Sequence, residues 1–228
     1  MSDVWTTAGV NITVVLPELV LFGFAILVML ADMTSNEKRD GLRGITPWLA
    51  LLGVAVTTGV CAALWSEPVA SFQGAAILDN FAMGVKLIVL VATALAILLS
   101  TSYMPKVNKQ VGEYYTLLLL CAVGMMVMGS ATDLIVVFLA LETFSLALYI
   151  MCSLNRSNPR SSEAGMKYLL LGAFASAFFV YGAALIYGAT GSTQYSAIAA
   201  ALLGSTGQLG LLYPGIALLV VGFGFKVS

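Results

Sequence analysis

The chain has 228 residues, of which 60% are hydrophobic and 9% are charged, and its formal net charge is −1. A soluble domain carries roughly 25% charged residues, so this composition predicts an integral membrane protein. The near-zero net charge, without any basic patch in the sequence, argues against nucleic-acid binding. The N-terminal residues MSDVWTT contain no Lys or Arg, which is unlike the basic start of a cleaved signal peptide.

Seven apolar windows follow one another along the chain. Each is long enough for a membrane-spanning helix, which needs about 20 residues, whereas a membrane strand needs only about 9–11 and alternates in polarity. The sequence therefore predicts an all-α integral membrane fold with about seven transmembrane helices, over residues 12–31, 46–65, 78–102, 114–130, 132–154, 164–187 and 210–228.

Basic residues in the loops predict the orientation of these helices. They occur in alternate loops, whereas the loops at 66–77, 131 and 188–209 contain none. Cytoplasmic loops are enriched in Lys and Arg, so the N-terminus is expected outside. Residues 191–207 are too polar to span and predict an external loop with a short amphipathic piece around 195–203. The basic residues are Lys38, Arg39, Arg43, Lys106, Lys109, Arg156 and Arg160.

The cysteines and the missing histidine bound the possible cofactor chemistry. Cys61, Cys121 and Cys152 lie in or at the ends of apolar runs without a CxxC pairing. We interpret them as small core residues rather than redox groups or metal ligands. The chain has no His, and it lacks GxGxxG, P-loop and metal-ligand patterns. These absences argue against a nucleotide, flavin or iron–sulfur cluster on this chain.

Glu142 stands in the middle of the fifth apolar window. An ionised side chain at the bilayer centre costs at least about 2.5 kcal/mol, so such residues usually face a partner, a cavity or an ion path. Ser145 and Tyr149 follow three and seven residues later and share its helix face. This polar stripe is suited to holding water and passing protons. Alternatively, Glu142 only hydrogen-bonds a neighbouring helix as structural glue.

Two lysines are candidate partners for Glu142. Lys167 follows Glu163 by four residues, an arrangement that favours a helical ion pair. Lys167 is therefore either a buried partner or an interfacial, snorkelling lysine. Lys226 lies deeper in the last window and follows Gly222 and Gly224, which weaken a helix. Broken helices near the membrane midplane are a recurrent way to build ion sites in transporters.

A buried Glu and a buried Lys together could form a proton switch. Burial favours the neutral form of each side chain, whereas mutual proximity favours both charged forms. A change in the separation of Glu142 from Lys226 would therefore move a proton on or off the lysine. This mechanism is a hypothesis, for which the sequence supplies the ingredients.

The remaining intramembrane charges predict structural roles. Asp79 and Lys86 are seven residues apart, on one face of the third predicted helix, and could pair; alternatively, Lys86 snorkels to the interface. Glu18 and Asp133 lie near the N-terminal ends of the first and fifth spans. Both suit the positive end of a helix dipole and are expected at the interface.

Small residues recur every four positions in the sixth span. Gly172 is followed by Ser176, and Ala173 by Ala177. This spacing lets helix backbones approach closely. The sixth span is therefore expected to pack tightly against its neighbours.

Four segments together resemble subunit N of the proton-pumping NADH–quinone oxidoreductase family, respiratory complex I. They are LPELVL (16–21), ALETFSLALYIM (140–151), RSNPRSSEAGMKYLLLGAFASAFFVYG (156–182) and GFGFKVS (222–228). The sequence motifs LETxSL and EAGxKYxLLGA look specific to subunit N. The sister subunits L and M and the Mrp-type sodium/proton antiporters share the buried Glu and Lys, but the sequences that flank these residues differ.

The resemblance implies a fold of about fourteen helices with two inverted five-helix repeats. Residues 1–113 would form three N-terminal transmembrane helices and a cytoplasmic loop, and residues 114–228 the first antiporter-like repeat, truncated within its broken helix. Glu142 matches the fifth-helix glutamate of the family, Lys167 the sixth-helix lysine and Lys226 the broken seventh-helix lysine. Because the last window is short of the roughly 20 residues of a span, we expect an N-terminal portion of a longer polypeptide.

The resemblance also implies a function. The chain would be a non-redox subunit of a translocase that moves protons as electrons pass from NADH to quinone. Its partners would be other membrane-arm subunits and the lipid of a bacterial plasma membrane, or of a thylakoid. The complex would use NADH, FMN, iron–sulfur clusters and quinone, with no cofactor on this chain. The alternatives are a subunit of an Mrp-type sodium/proton antiporter and a membrane anchor without transport.

Overall fold

The computed structural model describes residues 6–7, 10–34, 44–65, 68–107, 111–203 and 209–227. Four of the loop residues that predicted the orientation, Lys38, Arg39, Arg43 and Lys109, lie outside the described residues. The orientation of the chain across the membrane therefore stays a prediction.

Within the described ranges, seven helices are long and apolar enough to cross a membrane. They confirm the predicted all-α membrane fold with seven spans. An eighth, short helix confirms the amphipathic piece expected near residue 195. The helices are α1 (Leu16–Thr34), α2 (Thr46–Ala63), α3 (Asn80–Val107), α4 (Val111–Ser130), α5 (Leu134–Cys152), α6 (Pro159–Thr190), the short α7 (Tyr195–Leu203) and α8 (Leu209–Val227).

Local capping explains why two helices begin away from the predicted boundaries. The first helix begins at Leu16 because Ile12–Val14 form a 3-10 turn, in which the Asn11 side chain accepts a hydrogen bond from Thr13 N at 3.1 Å. The sixth helix begins at Pro159, because the Asn158 side chain caps its N-terminus and proline suits the first helical position.

Two short antiparallel ribbons lie at one end of the bundle. The first pairs β1 (Thr6–Thr7) with β2 (Val10–Asn11), and the second pairs β3 (Val69–Ser71) with β4 (Ala76–Leu78). We call the end where the second ribbon lies the ribbon end. Helices α1, α3, α5 and α8 begin at this end, which is the one that the loop charges predict to be external.

The largest apolar core joins the first four helices. It contains Leu21 of α1, Ala50 of α2, Leu90 of α3, and Leu119 and Met126 of α4, each of which is 0% exposed. Helix α4 therefore shares a core with the three N-terminal helices, although the sequence analysis assigned it to the segment 114–228. That division of the chain stays a prediction.

Helices α5, α6 and α8 form a second packed group. Phe179 of α6 is buried against Val137 and Leu141 of α5 and contacts the ring of Phe223 in α8, with centroids 5.1 Å apart. Helices α6 and α8 also meet at glycines, because a Cβ on Gly182 would lie 2.8 Å from the Gly215 carbonyl oxygen. Such close contact confirms the tight packing expected of the sixth span.

Helix α8 is not broken at the glycines where the sequence analysis expected a break. It continues through Gly222 and Gly224 to Val227. A Cβ on Gly222 would lie 3.1 Å from the Ala175 carbonyl oxygen and 3.1 Å from the backbone N of Phe179. Gly222 therefore permits α8 to approach α6 closely, and this explains a glycine there without any loss of helix.

The three thiols do not all lie in the core. Cys61 and Cys121 are buried, as expected, whereas Cys152 is exposed at the end of α5. The expectation of a core position is therefore wrong for Cys152. Its place in the last turn of the helix, just before the loop to α6, removes it from the packed interior.

Candidate functional site

Lys226 of α8 meets three polar side chains that lie on one face of α5. Its Nζ lies 2.7 Å from Ser145 Oγ, 3.2 Å from Glu142 Oε1 and 3.5 Å from the Tyr149 hydroxyl. An ammonium group has three N–H donors, so it can donate a hydrogen bond to each of the three oxygens at the same time. The structure thus brings together Glu142, Ser145, Tyr149 and Lys226, of which helical spacing predicts Ser145 and Tyr149 and depth in the last window predicts Lys226.

The four side chains are unequally buried. Ser145 is 1% exposed and Tyr149 5%, whereas the side chains of Lys226 and Glu142 are 10% and 26% exposed. The carboxylate therefore lies at the open side of the cluster and the hydroxyl groups at its closed side.

Ser176 of α6 is a member of the site that the sequence analysis missed. Its hydroxyl donates to Glu142 Oε1, the same oxygen that Lys226 contacts, and lies 3.0 Å from the Gly172 carbonyl oxygen. One hydroxyl proton has two acceptors within reach. The four-residue spacing from Gly172 predicts only a packing role for Ser176. The available signal was its hydroxyl in an otherwise apolar part of the sixth span.

Gly172 makes room for the phenol of Tyr149. A Cβ at position 172 would overlap the Tyr149 hydroxyl and its Cζ atom. The ring of Tyr149 also packs edge-on against Tyr168 of α6, with centroids 4.6 Å apart. Helix α6 therefore fixes Tyr149 on one side while Lys226 contacts its hydroxyl on the other.

Lys167 does not contact this cluster. Its Nζ lies 2.5 Å from Glu163 Oε1, and the two side chains are 69% and 62% exposed. The structure therefore contains the exposed ion pair that the Glu-then-Lys spacing predicts. Exposed pairs of this kind contribute little to stability, and a role of Lys167 in proton transfer stays a prediction.

The predicted pair of Asp79 and Lys86 is absent, and its correction involves Glu18. Asp79 precedes α3 and caps it by accepting a hydrogen bond from Ala82 N at 2.7 Å, so it does not lie on the helix face that carries Lys86. Instead, Lys86 Nζ lies 2.8 Å from Glu18 Oε1. Both residues are buried, so the expectation of a snorkelling Lys86 is wrong. Glu18 lies in the first turn of α1, as predicted, and its depth in the membrane stays a prediction.

Asp133 lies at the N-terminus of α5, where the helix dipole favours a carboxylate. Its Oδ1 accepts a hydrogen bond from Ile135 N at 2.7 Å, and its Oδ2 accepts one from the Thr193 hydroxyl at 2.6 Å. Next to Thr193, Tyr195 begins α7 with 44% of its surface exposed. Burial raises the pKa of the Tyr195 hydroxyl, and the Asp133 carboxylate raises it further.

No group of three His, Cys, Asp or Glu side chains converges within the ranges that the structure describes. The site itself consists of a carboxylate, an ammonium and three hydroxyl groups. Such groups can bind and pass protons at the junction of three membrane helices. Fold and site together define a multi-span membrane protein with a paired Glu and Lys between its helices.

The model of the NADH:quinone oxidoreductase/Mrp antiporter membrane family matches residues 131–228 of the chain. That segment contains all five members of the cluster. The family match therefore coincides with the part of the chain that carries Glu142 and Lys226.

Individual relatives are similar to the chain over nearly its whole length. The chain is 40% identical to NADH-quinone oxidoreductase subunit N of Trichlorobacter lovleyi over 96% of its own length and 45% of that protein. It superimposes on a chain of respiratory complex I from Thermus thermophilus with a TM-score of 0.73 and 31% identity, covering 92% of this chain and 44% of that one. The resemblance to subunit N is thereby confirmed.

A solved Mrp complex from a Dietzia species shares the fold. Its TM-score is 0.73 at 22% identity, over 94% of this chain and 24% of that one. At this identity the likeness concerns the fold alone. The chain spans about half the length of the curated relatives it matches.

Proposed function

We propose that the chain forms part of a membrane-arm subunit of an NADH–quinone oxidoreductase that translocates protons as electrons pass from NADH to quinone. The chain would act as a non-redox subunit beside other membrane-arm subunits in a bacterial plasma membrane. NADH, FMN, iron–sulfur clusters and quinone would be bound elsewhere in the complex. The similarity to subunit N over nearly the whole chain supports this assignment.

One observation carries the proposal. The Lys226 ammonium is held by a carboxylate and two hydroxyl oxygens of α5. An intramembrane charge is expensive unless it is paired, and paired intramembrane charges typically mark ion and proton paths. A lysine on one helix that faces a glutamate on another can change its protonation when the helices move.

The proposed cycle uses the distance between Lys226 and Glu142. At 3.2 Å the opposite charges stabilise each other. If α8 moves away, the neutral lysine is favoured, because the buried ammonium loses its counter-charge. The proton then leaves Nζ, and return of the lysine to α5 draws a new proton on to it.

The hydroxyl groups would set the route and the resting state of this cycle. Tyr149 and Ser145 lie towards the closed side of the cluster, where they can accept hydrogen bonds from Lys226 or from water. Ser176 donates to Glu142, so the carboxylate keeps a donor when the lysine leaves. Lys167 would modulate or relay from its position on α6, although its partner in the structure is Glu163.

The second candidate function is a subunit of an Mrp-type sodium/proton antiporter. The description of the matching family includes Mrp antiporters, and this observation keeps the alternative open. Such an antiporter would exchange cations in vesicles without any electron donor. An NADH–quinone oxidoreductase subunit would pump only while its complex transfers electrons.

Replacement of Glu142 by Gln tests the proposal in the full-length subunit within its intact complex. We expect proton translocation to fall at least about tenfold, since a positioned proton-transferring group contributes roughly a hundredfold or more. Proton uptake into vesicles is measured together with NADH oxidation. Glu113→Gln is the matched control, because Glu113 is an exposed carboxylate in the first turn of α4. Undiminished pumping by the Glu142→Gln enzyme contradicts a role for Glu142.

A further inference from the structure

A second buried pair of opposite charges joins α1 to α3. The side chains of Lys86 and Glu18 are 0% and 5% exposed, and Lys86 Nζ lies 2.8 Å from Glu18 Oε1. The lysine also donates to the Val14 carbonyl oxygen at 3.2 Å. This pair is more deeply buried than the pair of Glu142 and Lys226, and the proposed pumping cycle does not use it.

The carboxylate of this pair is incompletely satisfied. Although Lys86 is close to Oε1, neither oxygen of Glu18 accepts a hydrogen bond of acceptable geometry from the described residues. The hydroxyl of Ser130, at the ribbon end of α4, is likewise buried without a partner in that part of the chain. Buried polar atoms of this kind ordinarily form hydrogen bonds to internal water. The pair is thus suited to hold one or more water molecules.

The pair lies close to the ribbon end. Glu18 is two residues into α1 and Lys86 six residues into α3, which places them about 3 Å and about 9 Å along their helices. The Val14 carbonyl that binds Lys86 belongs to the 3-10 turn above α1. A proton that leaves this pair has a short distance to travel to the aqueous phase at that end.

Few other titratable groups face the pair. On α2, the buried thiol of Cys61 is within electrostatic range of both Glu18 and Lys86. The side chains that α4 contributes to the shared core include the apolar Ala122 and Met126. Asp79, at the start of α3, is engaged in its own cap. The charge state of the pair therefore depends mainly on Glu18 and Lys86 themselves.

A purely structural role explains this arrangement poorly. Replacing a buried ion pair by apolar residues is often neutral or stabilising, and an apolar contact between α1 and α3 would hold the helices without burying charge. Proton transfer from Lys86 Nζ to Glu18 Oε1 breaks one N–H bond and forms one O–H bond. It converts two buried charges into two neutral groups. The 2.8 Å separation is within the range for direct transfer.

We propose that Glu18 and Lys86 form a second proton-exchange site, hydrated by internal water, which takes up and releases a proton at the ribbon end of the N-terminal helices. The site is separate from the pair of Glu142 and Lys226 and lies outside the matched segment 131–228. Its ligand is a proton carried by water.

The double variant Glu18→Gln with Lys86→Met tests this site in the full-length subunit of the intact complex. Removal of both charges avoids an unpaired buried charge, so we expect assembly and electron transfer to persist. Pumping should lose part of its protons per electron pair. Leu90→Met, one turn further along α3, controls for altered packing. Wild-type pumping at every pH by the double variant overturns the proposal.

If the double variant does not assemble, infrared spectroscopy of the wild-type complex and of the Glu18→Asp variant tests whether Glu18 exchanges a proton. A protonated carboxyl group gives a carbonyl stretching band that a carboxylate lacks. We expect a band of this kind to appear in pH-difference spectra of the wild-type complex and to change frequency in the Glu18→Asp variant, which keeps the carboxyl group. If no such band changes in Glu18→Asp, Glu18 does not exchange a proton and the proposal is overturned.

Discussion

At the scale of single residues, one oxygen atom of Glu142 connects three helices. Oε1 receives the ammonium of Lys226 from α8 and the hydroxyl of Ser176 from α6. A carboxylate with two donors tolerates the charged state better than one with a single donor. Ser176 is therefore a positioning residue for the proposed proton switch.

Replacement of Ser176 by Ala should weaken the switch. Hydrogen bonds to charged groups contribute about 1.5–3 kcal/mol, and the partly exposed Glu142 reduces this to about 1 kcal/mol, so we expect pumping to fall several-fold. Ser176→Thr keeps the hydroxyl and should retain most of the pumping. The pH profile of proton translocation separates the two variants. Identical profiles for Ser176→Ala and the wild type would show that this hydroxyl does not act on Glu142.

Helical spacing predicts only those residues of the site that share a helix with Glu142, whereas Lys226 was predictable from its depth in the last window. Ser145 and Tyr149 follow from the position of Glu142, because helical spacing fixes which residues share a face. Ser176 and the pairing of Glu18 with Lys86 depend on how one helix is placed against another. No spacing within the sequence records that placement, so helical spacing pointed to Asp79 as the partner of Lys86.

At the scale of helices, glycines determine how α8 is held. Gly182 of α6 and Gly215 of α8 bring the two backbones together, and Gly222 lets α8 pass close to Ala175 and Phe179. The same contact positions Lys226 one turn beyond Gly222. From the sequence alone, a glycine that permits close packing and a glycine that breaks a helix look alike, which explains the error about the break.

Gly182→Ala should therefore destabilise the contact of α6 with α8. Its Cβ would meet the Gly215 carbonyl oxygen at 2.8 Å and Leu219 N at 2.9 Å, and overpacking of this kind costs about 1–3 kcal/mol. We expect faster thermal inactivation of the purified complex together with lower pumping. Gly188→Ala is the control on the same helix, since its nearest new contact is Leu211 Cδ1 at 3.7 Å. Equal inactivation rates for both variants would contradict a backbone contact at Gly182.

At the scale of the whole molecule, a set of polar contacts at the ribbon end links the N-terminal helices to α5 and α7. Thr132 is its centre. Its backbone N donates to the Ala75 carbonyl oxygen at 3.0 Å, its hydroxyl donates to Gly74 O at 2.6 Å, and its own carbonyl oxygen accepts from Tyr195 N at 3.0 Å. The ribbon turn, the start of α5 and the start of α7 are thereby fixed relative to one another.

The seven spans were predictable because membrane thickness sets their length and composition. The ribbon was not. Its strands have only three residues each, which is too short for an alternating pattern to stand out. Its turn places Phe72 and Gln73 at φ values of 54° and 55°, a left-handed conformation that their residue types do not suggest.

The ribbon end also gives the molecule a pH-dependent contact outside the membrane-spanning helices. Burial and the nearby Asp133 carboxylate raise the pKa of Tyr195, so the folded protein favours the neutral phenol. The stability from this group is fully present below the ordinary tyrosine pKa of about 10 and is lost as the pH rises through the higher folded value. Tyr195→Phe cannot ionise there, and we expect it to retain its thermal stability at alkaline pH better than the wild type. Thermal unfolding over an alkaline pH series measures this difference, with Tyr213→Phe, an exposed tyrosine of α8, as the control. If wild type and Tyr195→Phe lose stability in parallel, ionisation of Tyr195 does not weaken the contact of α7 with α5.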